Sequence, residues 1–381
     1  MPDQKPLRIL HCFRSPVGGI FRHVRDLARL HHEAGHQVGI LCDSTTGGAH
    51  EDALFDSIRP YLALGLVRTP IHRSVGPADL LTLYRCMGKI KEIQPDIMHG
   101  HGAKGGALAR LIGARLRASR YCVARIYTAH GGSLHFSGSS LSGRFYFRLE
   151  RFFEKYTDGL VFVSEYERSA YLKKVGKPRP PSRLIYNGLA KREFDDVVVH
   201  QDAAQFLYVG MMRHLKGPDL FVDALARVEQ LVGKPVTAAI VGDGADKEKL
   251  AKLVLQTGRP ERVKLYPAMP IAKALQLGVT VVVPSRAESM PYVVLETLAA
   301  GRPLIATNVG GIHEIFGQHK DALVPPGDVE ALAQRMALAI LRPQEIVNSL
   351  PKKSELKDRF SVETMADCII DFYHECSMPT R

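Results

Sequence analysis

Twice along this chain, short apolar runs rich in Val, Ile and Leu alternate with longer amphipathic stretches. The first series reads LRILHCF (7–13), HQVGILCD (36–43), DIMHGHG (96–102), YCVARIYTAH (121–130) and GLVFVSE (159–165). Helix-like segments lie between them, such as FRHVRDLARLHHEAG, which ends at Gly35 where a C-terminal glycine is expected. This alternation is what parallel sheets wrapped by helices require, and it excludes all-α and all-β folds. The texture changes near residue 175. VGKPRPPSR (175–183) and REFDDVVVHQDAAQ (192–205) read as loop or linker. A second series follows: QFLYVG (205–210), TAAIVGDG (237–244), VKLYPAM (263–269), VTVVVPS (279–285), PLIATNVGG (303–311) and DALVPPG (321–327). The boundary is expected near 190–203. In the tail RFSVETMADCIIDFYHEC, Met365, Cys368, Ile369 and Phe372 stand at helical spacing, as in a helix docked on one face. The expected organisation is 1–190 as a first α/β domain, 191–356 as a second, and 357–381 as a final helix returning to the first.

With 381 residues the chain can build two such cores, and 45% apolar with 24% charged residues is a globular composition. No apolar run approaches the roughly 20 residues of a membrane span, and MPDQKPLRILHCF has no apolar core of signal-peptide length, so the chain reads as cytoplasmic. The six cysteines are scattered without a C-x-x-C pair, which indicates neither a disulfide framework nor a zinc site. A net charge of +12 favours polyanionic partners, whether nucleic acid, an anionic membrane face or phosphorylated substrates, without choosing among them.

In open α/β sheets, ligands bind beyond the carboxyl ends of the strands, and two such domains imply a cleft. Gly18 and Gly19, in RSPVGGIFRHV, lie between the first strand and first helix, where backbone N–H groups can approach a phosphate or sugar. An ordinary tight turn explains that pair equally well. In YVGMMRHLKGPDL, Arg213 and Lys216 sit on a strand-to-helix loop, where a planar fork and a point charge suit one diphosphate, or else are two solvated cations. In PSRAESMPYVVLETLAAGRP (284–303), Pro291 suits the first turn of a helix beginning near Met290. Glu288 would then lie in the loop at its N-terminus and Glu296 in its second turn. Carboxylates amid such apolar runs need hydrogen-bond donors, and a hydroxyl-rich ligand supplies them in pairs. Capping alone is a credible alternative for Glu288 and a weaker one for Glu296.

The stretch SRAESMPYVVLETLAAGRPLIATNVGGIHEIF, with VGMMRHLKG and IVGDG upstream, resembles the retaining glycosyltransferases of family 4, which have the GT-B fold. The resemblance extends over nearly the whole chain through GGIFRHV, YTAHGG, VSEYER, IYNGL and the terminal RFS…FY helix. It implies that Glu296 binds the ribose hydroxyls of a nucleotide-sugar donor and Glu288 its sugar. It implies that Lys216 and Arg213 bind the diphosphate and stabilise it as it leaves, although Met211 stands where the family arginine follows the glycine. Gly18 and Gly19 would lie near the phosphates, His130 of YTAHGG near the reacting centre, and Met290, Pro291 and Tyr292 would join the donor-binding set. His99, His101 and Lys104 follow a strand and could line the acceptor side. Backbone near Tyr266–Met269 is expected to read the base.

The implied reaction moves a sugar from a UDP- or GDP-sugar to a saccharide, expected to be lipid-linked, with retention at the anomeric carbon. Attack on the same face, with the departing phosphate taking the acceptor's proton, is the expected route. No D-x-D motif occurs, and DGAD (243–246) reads as a turn, so no metal or other cofactor is expected. HGHGAKGGALARLIGARL followed by YTAHGG looks most like bacterial transferases that build lipopolysaccharide O-chains or exopolysaccharide. SGRFYFRLERFFEKY (142–156) places Arg144, Arg148, Arg151 and Lys155 on one helical stripe beside Phe145, Leu149, Phe152 and Tyr156. Such a helix, with the cations of 173–183, could lie on the anionic inner face of a membrane, or simply pack with a solvated face. A GT-B nucleotide-sugar epimerase, a nucleic-acid-binding protein and an inactive nucleotide-sugar-binding subunit are competing readings. The aromatics do not interleave with the cations as a stacking platform for nucleic acid would, so no nucleic-acid partner is expected.

Overall fold

The computed structural model describes residues 5–72, 78–258 and 260–377. The chain forms two compact units, one made of the residues to Asn187 plus those from Val362 onward, the other of Gly188–Ser361. Leu189 pairs in parallel with Ser361, and its N–H donates to the Phe360 carbonyl at 2.8 Å, so the second unit begins and ends on neighbouring stretches of chain.

The first unit holds a wholly parallel sheet of β1 (Arg8–Phe13), β2 (Gln37–Asp43), β3 (Gly65–Thr69), β4 (Ile97–His101), β5 (Ala124–Thr128), β6 (Gly159–Phe162) and β7 (Ser182–Leu184). Their order is β3-β2-β1-β4-β5-β6-β7. The central strands are buried over most of their length because helices cover both faces, which is why they read as mainly apolar runs. Leu10, Met98 and Ile112 pack in one core cluster, and Phe13, Phe21 and Phe55 in another. Strands β3 and β7 were not expected from sequence. Both are edge strands, short and only partly covered, so neither has a continuous apolar run. Ser182 and Arg183, expected in a linker, belong to β7.

The helix Gly18–Glu33 follows β1, and the Gly35 N–H donates back to the His32 carbonyl. The helix Gly102–Ala118 follows β4 and lies very close to the sheet. A Cβ on Gly105 would meet the Cys12 carbonyl oxygen at 2.3 Å, so only glycine permits this approach. The last helix, Val362–Ser377, buries Met365, Ile369, Phe372 and Tyr373 within the first unit, with Cys368 only partly covered.

The second unit has a parallel sheet of β8 (Ala204–Val209), β9 (Ala238–Val241), β10 (Val263–Tyr266), β11 (Gly278–Val283) and β12 (Leu304–Ala306), in the order β10-β9-β8-β11-β12. Phe206, Phe221, Val282 and Met336 lie in its core. DALVPPG, read as a strand, makes only an isolated bridge from Val324 to Thr307. Each sheet has a switch point where strand order reverses, between β1 and β4 in one and between β8 and β11 in the other.

Candidate active site

In the second unit, the loops that leave the carboxyl ends of β8, β9 and β11 are tied to one another. Met212 N–H donates to the Asp243 carbonyl (2.8 Å), and Asp246 N–H donates to the Met212 carbonyl (2.9 Å). The Asp246 carboxylate accepts from His214 N–H at 2.7 Å, so the turn DGAD fixes the loop that carries Arg213 and Lys216. Gly217 ends that loop with φ +67, and a Cβ there would stand 2.1 Å from the Pro284 carbonyl oxygen. The β8 loop therefore rests directly on the β11 loop, where Arg286 and Ala287 N–H both donate to the Leu215 carbonyl. Arg286 also pairs with Asp219 at 2.6 Å. Burial opposes ionisation of Asp219, yet the hydrogen bond and charge of Arg286 hold its carboxyl below the usual range.

This packing brings Lys216 and Glu288 together. Lys216 Nζ lies 2.5 Å from Glu288 Oε2, and Ser285 Oγ donates to Glu288 Oε1 at 2.7 Å. The Glu288 side chain is 5% exposed and that of Lys216 33%, so the carboxylate is sunk and the cation stands at the mouth. Thr307 Oγ1, after β12, donates to the Ser285 carbonyl and steadies the same turn. Ser285 and Asp246 were not singled out from sequence, because a lone hydroxyl or turn aspartate carries no pattern.

The helix after Glu288 spans Tyr292–Ala299, with Pro291 extended at its N-cap. It starts two residues later than expected, since the residue before a proline is pushed out of helical geometry and Met290 cannot open the helix. Val294, Leu295 and Leu298 are buried, while Val293 and Glu296 lie on the partly covered face. Glu296 thus sits in the second turn. Met290 and Tyr292 are buried beside the helix start. Arg213 is half-buried on the β8 loop, two residues from Met211.

The first unit carries its motifs at its own switch point. Gly18 and Gly19 are exposed in the first turn of a long helix with no acidic residue there, and Gly18 has φ +69. Lys104, half-buried, lies in the first turn of the helix after β4. His130 follows β5 in the left-handed region, φ +49, a position few side chains adopt.

Sequence reading placed His99 and His101 on the acceptor side, and the structure corrects this. Both are buried. His99 Nδ1 meets Tyr373 Oη at 2.6 Å and Nε2 meets Thr128 Oγ1 at 2.8 Å, so neither nitrogen is left for a ligand. His101 is likewise engaged at both nitrogens, by His11 (3.0 Å) and His130 (3.1 Å). Buried His23 and His31 from the Gly18–Glu33 helix complete a cluster of six. Burial depresses the basicity of all six, to about 4 for His23 and about 3 for His31, so the cluster is neutral at pH 7. Ring nitrogens of His11, His99 and His101, and of His23, His101 and His130, lie within 4.8 Å of one another. Four of those nitrogens, His11 Nδ1, both of His101 and His130 Nε2, pair with one another, and both of His99 are held by Tyr373 and Thr128.

On 142–156 the covered face also differs from the expected stripe. The helix Leu141–Phe153 buries Phe147, Glu150 and Phe153, and leaves Leu141 (79%), Phe145 (56%) and Phe152 (48%) exposed. The reason is a buried ion pair. Glu150 accepts from both terminal nitrogens of Arg110 (3.1 Å), from Tyr127 Oη (2.9 Å) and from Ser133 Oγ (2.8 Å). That network turns the helix so that its polar residue faces in.

Comparison with known proteins identifies the family. The family model for glycosyl transferases group 1 matches residues 190–356, and that for glycosyltransferase family 4 matches residues 17–191. The chain is 23% identical to an uncharacterised glycosyltransferase of Methanocaldococcus jannaschii, with 95% of each chain covered. It is 26% identical to the UDP-Gal:alpha-D-GlcNAc-diphosphoundecaprenol alpha-1,3-galactosyltransferase of Escherichia coli, over 88% of each. Among solved structures, Anabaena HepE in complex with UDP aligns with a TM-score of 0.70 at 18% identity, covering 96% of this chain and 99% of that one. The chain belongs to the family 4 type of glycosyltransferase and has the GT-B fold.

Proposed function

We propose that this enzyme transfers a sugar from a UDP-sugar to a lipid-linked saccharide, with retention at the anomeric carbon and without a metal. The observation that carries the reading is the Lys216–Glu288–Ser285 cluster at the β8/β11 switch point. A half-exposed cation resting on a sunken carboxylate is poised to exchange partners. A diphosphate draws Lys216 away, and Glu288 is then free to accept hydroxyls of the sugar. Glu296 holds the ribose, and the first N–H groups of the Tyr292–Ala299 helix add positive potential near the phosphates.

The acceptor oxygen bonds to the anomeric carbon as the bond to the diphosphate breaks. The electron pair goes to the departing phosphate, whose oxygen takes the acceptor's proton. Charge develops on the diphosphate, so preorganised cations such as Lys216 and Arg213 are the main catalytic device. The names of the E. coli relative and of the UDP complex support the choice of UDP.

The lipid-linked acceptor gains support from the helix Leu141–Phe153, which exposes Leu141, Phe145 and Phe152 beside Arg144, Arg148 and Lys155. Exposed apolar residues flanked by cations suit an anionic bilayer surface. Calorimetry with UDP, GDP and their sugars, against wild type and Glu296→Ala, tests the donor site. Binding of UDP that the substitution weakens supports it, and equal binding by both proteins refutes it. Co-sedimentation with anionic vesicles, lost in Phe145→Glu/Phe152→Glu, tests the surface.

A further inference from the structure

Three imidazoles in the first unit form one line. His11 Nδ1 lies 3.0 Å from His101 Nε2, and His101 Nδ1 lies 3.1 Å from His130 Nε2. Parallel pairing of β1 with β4 and of β4 with β5 sets this up, since it places the ends of the three strands side by side. A neutral imidazole has one N–H and one lone pair. The middle ring must therefore donate on one side and accept on the other, and the line allows only two polarities.

The far end decides between them. His11 Nε2 is buried and has no hydrogen-bond partner among the described residues. Were the hydrogens directed from His130 toward His11, that nitrogen would carry a buried N–H with no acceptor. Orphaned buried donors are rarer than underused acceptors. With the opposite polarity, only a lone pair is stranded there. We infer that the hydrogens run from His11 to His101 to His130, so that His130 accepts at Nε2 and keeps its own hydrogen on Nδ1.

Free neutral imidazole favours the hydrogen on Nε2, so the line holds His130 in its less common tautomer. His101 and His11 are thus positioning residues. The His101 ring cannot turn over without losing both partners, and one face is covered by His99 with centroids 3.9 Å apart. His99 is itself pinned by Tyr373 and Thr128. Burial keeps every member uncharged at neutral pH, as the line requires. With His130 near the reacting centre, as the family resemblance implies, its Nδ1–H is a neutral donor for a sugar oxygen and cannot serve as a base. That consequence rests on the proposed function, whereas the tautomer does not.

Long-range proton–nitrogen NMR on the full chain with labelled histidine reads the tautomer directly at pH 7, with His130 assigned by loss of its signals in His130→Asn. The expected wild-type spectrum shows His130 with protonated Nδ1 and bare Nε2. His101→Phe should shift it to the Nε2–H form. Should that variant fail to fold, His11→Phe carries the same test one ring farther away. A wild-type Nε2–H tautomer, or a folded His101→Phe with an unchanged His130, overturns the inference. So does a one-to-one Zn²⁺ titration that moves all three rings, since a metal site would then replace the line. No substrate is involved, so failure here and failure of nucleotide binding are separate results.

Discussion

Lowering the pH from 7 to 5 should destabilise the first unit through its buried histidines. His23 and His31 are buried, and desolvation lowers their pKa values to about 4 and about 3, from 6.5. His23 is faced by His101, His130 and Asn187, and His31 by His36, His11, Tyr373 and the Ala366 carbonyl. Below pH 6.5 the unfolded chain binds protons that the folded one refuses, so stability falls with pH. The contribution is fully present above pH 6.5 and is lost as pH falls toward 4 and 3. Each pKa unit is worth about 1.4 kcal/mol. At pH 5 each ring has lost about 2 kcal/mol, and the pair about 4 kcal/mol. His11, His99 and His101 push in the same direction. A domain is held by only about 5–15 kcal/mol, so the loss is a large part of the total. Asp43 and Asp219 have folded pKa values below 3.8 and act only at lower pH. Urea unfolding followed by far-UV circular dichroism at pH 7.5, 6.5, 5.5 and 5 would measure it, with hydrogen exchange to locate the loss. The chain has no tryptophan to serve as a probe. A stability that stays flat or rises between pH 7 and 5 would refute the reasoning, because the rings would then be taking protons while folded.

Three substitutions probe the rest of the argument. Lys216→Ala should lower kcat by about 10²–10³, the usual cost of one charge-stabilising donor, with the fold intact by circular dichroism; an unchanged kcat would remove Lys216 from the mechanism. Glu150→Ala strands the buried Arg110 guanidinium and should cost about 3–5 kcal/mol, while the double change Glu150→Leu/Arg110→Leu should recover most of it. Denaturant midpoints that rank the double variant below the single one would contradict this. Gly217→Ala forces a side chain into φ +67 and against the Pro284 carbonyl, a strain of roughly 1–2 kcal/mol before any clash. Nucleotide affinity measured by calorimetry should weaken, and equal affinity would show that the contact of the β8 and β11 loops does not shape the site.

What the sequence discloses depends on whether a constraint is local. Strands β1, β4, β8 and β11 are central in their sheets and largely buried, so each carries a mainly apolar run that is visible in the sequence. Strands β3 and β7 lie at an edge, where half the surface may be polar, and no run survives. Glu288 and Glu296 share one loop and helix, so their spacing is fixed by the chain itself and can be read there. The Leu141–Phe153 helix misled because hydrophobic periodicity assumes that apolar residues face inward. One buried arginine, Arg110, outweighed that preference by demanding Glu150.

The histidines mark the limit most clearly. His11, His23, His31, His99, His101 and His130 have no common spacing, and each alone passes for a strand-end or helix residue. Parallel register makes them a unit by setting His11 opposite His99 and Phe13 opposite His101. A line of paired imidazoles in a core loses its purpose if one member is removed, since the next ring is left with an unmatched nitrogen. Residues bound in this way are constrained by one another rather than by their neighbours in sequence. Their signal is a surplus of histidine on strands that are otherwise apolar, in RILHCF, in IMHGH and just after ARIYT. Desolvating six imidazoles is costly unless they are hydrogen-bonded, and here the bonds come partly from the group itself, His11 to His101 and His101 to His130, and partly from Tyr373, Thr128 and the Ala366 carbonyl.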